Sequence, residues 1–472
     1  MTRGRLAVHA HFYQPRRADP FSGRMPAEPA AAPYPNWNAR IDAEAYRPNA
    51  ERGNLQRISW DLGPTLASWL EAEDPPTYSA FQKAAPSRAI AQAYHHSILP
   101  LASAADRRTE VRWGIRDFEL RLGFRPKGLW LPETAVDLPT LALLAEEGIA
   151  YTILAPWQSA ETPTETRRPY RVSVGSGHSI GVMFYDGALS AAVSFEPAAS
   201  EDAHQFARDR VAPRLARGPF PDGTVPVVLI ATDGELYGHH QVFRDLFLEH
   251  LVAPEPEEIQ SRTFDLVDLE DVMAEPIDQE FANARIRERT SWSCHHGVAR
   301  WSAECPDAAD GRWKGPLRAA LDRLAGGVDA VSEGVIRDAG VTVNFWEARD
   351  AYVDVVSGAE SGAQFLTRCL GSRSAVSEAR RAHLLELLEA QRWRLAMFAS
   401  DGWFWDDPIR EETAQNLLAA ARAVRIVDKV AGTHLERSLV ADLALFTSPS
   451  RKVDGAELYT RALESVGQRA PK

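Results

Sequence analysis

The sequence predicts an α/β barrel followed by an α-helical C-terminal domain. Two observations carry this expectation: unmixed apolar runs alternate with helix patterns up to about residue 290, and from about residue 310 only helix patterns remain. A chain of 472 residues is also too long for one small module and suits a large barrel with an appendage. The expected domains are 1–305 and 306–472, the second completing the active-site cleft of the first.

The elements follow in order. Arg5–Ala10 opens the fold as a short strand. Phe12–Arg52 carries prolines at 15, 20, 26, 29, 33, 35 and 48 and is expected to be a long functional loop without helix. Asp61–Leu70 reads as a helix start with Pro64 in its first turn, and a second helix pattern runs from about Ala105 to Leu122. Lys127–Glu133 is an apolar run that ends in a carboxylate. The helix pattern Leu138–Glu147 then closes at Gly148, a natural cap, before the strand Ile149–Leu154. A further apolar strand, Val225–Ala231, leads straight into Thr232–His240. The C-terminal helices are expected at Leu317–Ala330, Asn344–Val356, Glu378–Phe398 and Glu411–Val430.

Composition narrows the function. With 53 basic and 65 acidic residues the net charge is −12, and no basic block interrupts it, which disfavours nucleic acid and anionic membrane as partners. Three cysteines form no disulfide framework, the opening MTRGRLAVHAHF lacks the apolar core of a secretory signal, and no run reaches 18 apolar residues. These features predict a cytoplasmic protein. Thirteen tryptophans against five methionines, many beside polar motifs, suit a carbohydrate cleft, because flat rings stack on the C–H faces of sugars.

Glu133 and Asp233 each end an apolar strand and should project into one barrel mouth. Two carboxyl groups there are the minimal equipment for glycoside hydrolysis, one ionised to attack and one protonated to donate. Strand alternation puts His9 and His11 on one face. Two histidines without a third ligand at definite spacing favour hydroxyl binding over a metal.

Five segments resemble glycoside hydrolase family 57. They are His9-Ala-His11-Phe-Tyr-Gln14-Pro15, His96-Ser-Ile-Leu-Pro-Leu101, Trp130-Leu-Pro-Glu133, Asp233-Gly-Glu-Leu-Tyr-Gly-His239-His240 and Ser400-Asp401-Gly-Trp403-Phe. In the last, Gly402 departs from the family's usual Ser-Asp-Trp. The resemblance implies an incomplete (β/α)7 barrel and a retaining enzyme acting on α-glucans as an amylase, 4-α-glucanotransferase or branching enzyme. It assigns Glu133 as nucleophile and Asp233 as general acid/base, about 5–5.5 Å apart. His9, His11, Gln14, His96, Trp130, Trp157, Glu235, His239, Asp401 and Trp403 are expected to bind substrate. No cofactor is expected.

Ser291–Trp301 resembles a branch of the family that carries a C-terminal domain of unknown function. Cys294, His295, His296 and Cys305 offer zinc-ligand chemistry, but Cys-x10-Cys lacks the C-x2-C spacing of a zinc knuckle, and no metal is assigned. The competing readings are a metal-dependent carbohydrate deacetylase using His9, His11 and Asp233 as ligands, and a non-catalytic glucan-binding protein.

Overall fold

The computed structural model describes residues 3–254, 263–273, 281–307, 309–338, 344–370 and 376–469. Its strands are Gly4–Phe12 (β1), Ser59–Leu62 (β2), Ala89–Gln92 (β3), Leu129–Trp130 (β4), Tyr151–Leu154 (β5), Tyr170–Gly175 (β6), His178–Phe184 (β7), Val227–Asp233 (β8), Phe264–Leu266 (β9) and Ala282–Ala284 (β10). β1 is the hub. Its residues from Leu6 to Phe12 are all buried, as a strand covered on both faces must be.

The main sheet has the order β4-β3-β2-β1-β8, with β9 also pairing β1, and every pairing in it is parallel. A second sheet runs β10-β6-β7-β5, in which β5 and β7 are parallel. A parallel bridge between Gly128 and Tyr151 joins β4 to β5, and the Asp186 amide just past β7 donates to the Leu229 carbonyl of β8 at 2.8 Å. The strands β8-β1-β2-β3-β4-β5-β7 thus succeed one another as the seven parallel staves of an incomplete barrel. Ala7, Trp130, Tyr151, Met183 and Leu229 are buried in its core.

The expected loop Phe12–Arg52 departs from the sequence reading, because residues 37–51 are helical. No proline lies between Pro35 and Pro48. The Asn36 side chain caps the start by accepting from the Ala39 amide at 2.9 Å. Pro48 follows a π-type turn over Asp42–Tyr46, whose wider spacing relieves the clash a proline makes in an α-helix.

Two compact units emerge. The first comprises residues 1–14, 27–92 and 121–292; the second comprises 15–26, 93–120 and 293–472. The second unit is therefore not the C-terminal segment alone, since the polar and apolar groups of 93–120 pack among its later helices. Trp113 shares a core with Phe345, Phe365, Leu384 and Leu388. Asp106, on the same helix, accepts from Arg349 at 2.8 Å and faces Arg394 at 2.6 Å. The long helices there are Lys314–Asp338, Glu378–Ala396 and Glu411–Ala431, close to three of the four predicted, and the fourth, Asn344–Val356, is two short helices, Phe345–Ala351 and Val353–Val356. Among the described residues no helix is long and apolar enough to cross a membrane.

Candidate active site

Parallel register assembles the site. His11 of β1 lies opposite Asp61 of β2 on one side and opposite Asp233 of β8 on the other, so three titratable residues form one row across adjacent strands. His9, two residues before His11, shares that face. Asp61 is fully buried and serves both imidazoles, with Oδ1 2.9 Å from His9 Nε2 and Oδ2 2.8 Å from His11 Nδ1. Gln92 Nε2 also donates to Asp61 Oδ2.

The two histidines end in opposite states. Burial dominates at His9 and lowers its pKa, so the ring is neutral; its Nδ1 faces Ser59 Oγ at 3.0 Å. Burial also opposes charge on His11, but Asp61, with Asp233 and Glu235 behind it, overrides that and raises the ring to about 9. Both histidines pair with Asp61, whose pKa is held below the usual carboxylate range against the opposing effect of burial. His9 is fully buried with both ring nitrogens engaged, so it positions Asp61 rather than reaching a sugar. Among the described residues, His9, His11 and Asp233 do not bring three ligand atoms together as the deacetylase reading requires.

Glu133 sits in a turn just after β4 with φ 57°, and Thr134 follows at φ 47°. Left-handed backbone at two successive non-glycine residues is strained and persists only where neighbours enforce it. Gln158 is the enforcer. Fully buried, it accepts at Oε1 from the Ala155 amide and Thr134 Oγ1, and donates from Nε2 to the Thr134 carbonyl, each at 2.8 Å. Trp292 fixes the glutamate from the other side: its amide donates to the Glu133 carbonyl at 3.0 Å and its indole Nε1 to Oε2 at 3.1 Å.

Asp233 ends β8, and Gly234 begins a tight turn against β1. A Cβ at Gly234 would lie 2.2 Å from Phe12 Cδ1, so only glycine fits there. The turn places Glu235 in a buried pocket where Tyr46 Oη donates to Oε1 at 2.5 Å and Gln14 Nε2 approaches at 3.4 Å. Burial and the neighbouring Asp233 push Glu235 up to about 7, against the Tyr46 hydrogen bond. Asp233 is itself pushed up to about 6, by burial first and then by the charges of Glu133 and Asp61, with His11 opposing. It keeps an exposed face, and water reaching that face tempers the push. Glu133 is thus close enough to Asp233 for its charge to be felt there.

Aromatic rings wall the site. Tyr13 stacks on His11 with ring centres 6.0 Å apart, His11 on Trp130 at 5.0 Å, and Trp292 meets Trp130 edge-on at 5.0 Å. Tyr185 continues the wall edge-on to Trp292 and to Trp157, at 6.5 and 6.0 Å. Burial raises the Tyr185 hydroxyl pKa and the Asp233 charge adds to it, which keeps the phenol protonated. Trp130 is fully buried, whereas Trp157 is 39% exposed and anchored through Nε1 to the Ser291 carbonyl at 2.9 Å. Trp157 is therefore the predicted tryptophan with a ring face open to a sugar.

His239 pairs with Glu44 at 2.5 Å beside Trp37. His96, Asp401 and Trp403 belong to the second unit. There His96 Nδ1 lies 2.8 Å from Ser400 Oγ, and Asp401–Phe404 forms a short helix. Trp403 is 1% exposed, with its ring parallel to Phe398, so it is core and not an open stacking platform. Gly402, the departure in the fifth motif, has a local cause: a Cβ there would lie 2.1 Å from Asn416 Nδ2.

Residues 42–286 match the family model described as glycosyl hydrolase family 57, just over half of the chain. The chain belongs to that family. Residues 310–468 match a second model, described as a domain of unknown function, DUF3536. No curated protein matches the chain in sequence. Among solved structures it is similar to an exo-type maltose-forming amylase from Pyrococcus sp. ST04, with a TM-score of 0.71 at 14% identity over 97% of this chain and 88% of that one. A family 57-type branching enzyme from Pyrococcus horikoshii gives 0.61 at 15% identity, over 99% and 98% of the two chains. A 4-α-glucanotransferase from Thermococcus litoralis gives 0.54 at 16% identity, covering 89% of this chain and 60% of that one. At such identities the likeness is one of fold, the family's seven-stranded barrel.

Proposed function

We propose that this protein is a retaining α-glucan hydrolase or glucan-transferring enzyme, with Glu133 as nucleophile and Asp233 as general acid/base. The observation that carries this reading is the pair of carboxyl groups that follow β4 and end β8. Asp233 is pushed up to about 6, toward the protonated form, in part by the charge of Glu133, whose Oε2 accepts a hydrogen bond from the Trp292 indole. Amylase, branching and glucanotransferase relatives of the same fold support an α-glucan as substrate.

In the first step protonated Asp233 gives its proton to the glycosidic oxygen as a Glu133 oxygen attacks the anomeric carbon. The C–O bond breaks, the leaving chain departs with the proton, and a glycosyl ester forms on Glu133. In the second step the Asp233 carboxylate takes a proton from water or from a sugar hydroxyl. That oxygen attacks the anomeric carbon and releases Glu133. His11, charged below about pH 9, lies opposite Asp233 in the strand register and limits how far Asp233 rises. Three free cysteines suit a reducing, cytoplasmic setting.

Incubation of the folded protein with maltoheptaose and with amylose, with products resolved by chain length and branch content, tests the reading. Shortened, lengthened or branched glucans that retain the α configuration are expected. No turnover of any α-glucan, or release of the β anomer, overturns it.

A further inference from the structure

Outside the barrel, residues 294–307 gather four donor atoms that the proposed glycosidase chemistry does not use. Cys294 Sγ, a His296 ring nitrogen, Cys305 Sγ and an Asp307 carboxylate oxygen all lie within 4.8 Å of one another. We infer that Cys294, His296, Cys305 and Asp307 form a structural zinc site in the second unit.

Three of the six edges of the cluster lie near those of a tetrahedron. Zinc bonds of about 2.3 Å to sulfur and about 2.0–2.2 Å to nitrogen and oxygen imply edges of about 3.8 Å for S–S, about 3.5 Å for S–N and about 3.4 Å for N–O. The observed distances are 3.4 Å for Cys294 Sγ to Cys305 Sγ, 3.6 Å for Cys305 Sγ to His296 Nδ1 and 3.1 Å for His296 Nδ1 to Asp307 Oδ2. The sulfurs stand well beyond the roughly 2.05 Å of a disulfide. Small outward shifts accommodate an ion.

The chain builds this cluster from two short pairs, Cys294-x-His296 and Cys305-x-Asp307. Each pair offers two donors from one short stretch of turning backbone. The intervening chain reverses through Gly297 at φ 76° and a turn over Ala299–Trp301, with Trp301 buried beneath it. The C-x2-C spacing of a zinc knuckle is absent, and His295 takes part only through its amide, which donates to Asp307 Oδ2 at 2.9 Å. Asp307 completes the set.

Burial and charge fit a metal. Both sulfurs belong to buried cysteines, while His296 and Asp307 are exposed at the rim and leave a path for the ion. Lys314 is fully buried, its Nζ has no hydrogen-bond partner, and its charge interacts with both thiols. A zinc ion with two thiolates and one carboxylate carries a net charge of −1, which the Lys314 ammonium balances. Binding releases the two thiol protons to solvent, and the imidazole and the carboxylate coordinate through atoms that carry no proton. Four protein ligands leave no open position, so the site is structural rather than catalytic.

The full-length chain, purified without chelators or a histidine tag, is analysed for metal by mass spectrometry. It is then stripped and titrated with Co2+ and with Zn2+. One equivalent of zinc per chain is expected, with tetrahedral visible bands and thiolate-to-cobalt charge-transfer bands for the Co2+ form. Stripping should lower the melting transition and zinc should restore it. Cys305→Ser should abolish the charge-transfer signature or reduce it to one thiolate, while Asp307→Cys should retain tetrahedral binding and add a thiolate. Stripping and restoration on the wild-type chain carry the test if a variant fails to fold. A chain that binds no zinc while its thiols react freely overturns the inference, and so does one in which Cys294 and Cys305 are joined by a disulfide. The result is independent of glucan turnover, so failure of the active-site reading leaves it standing.

Discussion

Exchanging Asp61 for asparagine keeps the shape of a fully buried side chain and removes the charge that His9 and His11 share. The rise of His11 from 6.5 to about 9 corresponds to about 3 kcal/mol of preference for the charged ring at 1.36 kcal/mol per pKa unit. Burial works against that charge, and Asp61 is the foremost group supporting it, ahead of Asp233 and Glu235. In Asp61→Asn the ring should therefore fall below 6.5 and be neutral at pH 7. Histidine-selective NMR titration reads this directly. The loss also reaches Asp233, because His11 is the cation that holds it down. Losing the Asp61 charge by itself lets Asp233 fall, but His11 is the larger influence, so on balance Asp233 should rise above about 6 and stay protonated to higher pH, moving the basic limb of the kcat/KM profile on a maltooligosaccharide upward. Stability should respond with a definite sign. The folded pKa of His11 is raised, so its pairing is fully present below 6.5 and is lost as pH climbs through about 9. The folded pKa of Asp61 is depressed, so the same pairing is present above 3.8 and fails as pH falls through the lower folded value. The asparagine variant should lose this advantage across the whole window. If His11 still titrates near 9 in the variant, or the basic limb moves down, the assignment of Asp61 as the controlling charge is refuted.

Asp233→Asn should slow turnover of maltoheptaose by ~10²- to 10⁴-fold, the usual weight of a positioned acid. It should slow an aryl maltoside with a good leaving group far less, and equal losses on both substrates would deny the acid role. Gln158→Ala removes three buried hydrogen bonds, two of them to Thr134 in the strained turn at Glu133, together worth about 3 kcal/mol at ~1 kcal/mol each. Its melting temperature and kcat should fall together, with KM little changed. Gly402→Ala drives a methyl group into the Asn416 amide and should cost about 1–3 kcal/mol in thermal unfolding. Adding Asn416→Ala should recover part of that loss.

The parts of the site readable from sequence share one property: each lies on an uninterrupted local pattern. Glu133 and Asp233 follow apolar runs, and His9 and His11 alternate on one strand, so position alone aims them into the barrel. Asp61 was legible only as part of a helix start, because β2 is four residues long and its serine and aspartate break the apolar run. Its role comes from lateral register with β1, which no single strand encodes. Tyr185, Gln158 and Trp292 join the site through contacts between distant segments, and no local spacing announces them. The signal available for Trp292 was its place among tryptophans beside polar motifs. Glu133 adopts a positive φ without a glycine to advertise it, since the strain is imposed by Gln158 from another turn.

The discontinuous second unit has a consequence for how the chain is made. Arg349, the buried partner of Asp106, is 243 residues further along the chain. At ~5–20 residues per second, the helix bearing Asp106 and Trp113 leaves the ribosome on the order of 10–50 s before its partner is synthesised. Through that interval β4 to β10 are still being added, and the emerging chain carries a helix with an unpaired carboxylate and a bare indole. Such a nascent chain invites chaperone capture. Slower, cooler expression lengthens the wait but weakens hydrophobic aggregation, so soluble yield should depend more on chaperone supply than on the stability of the finished protein.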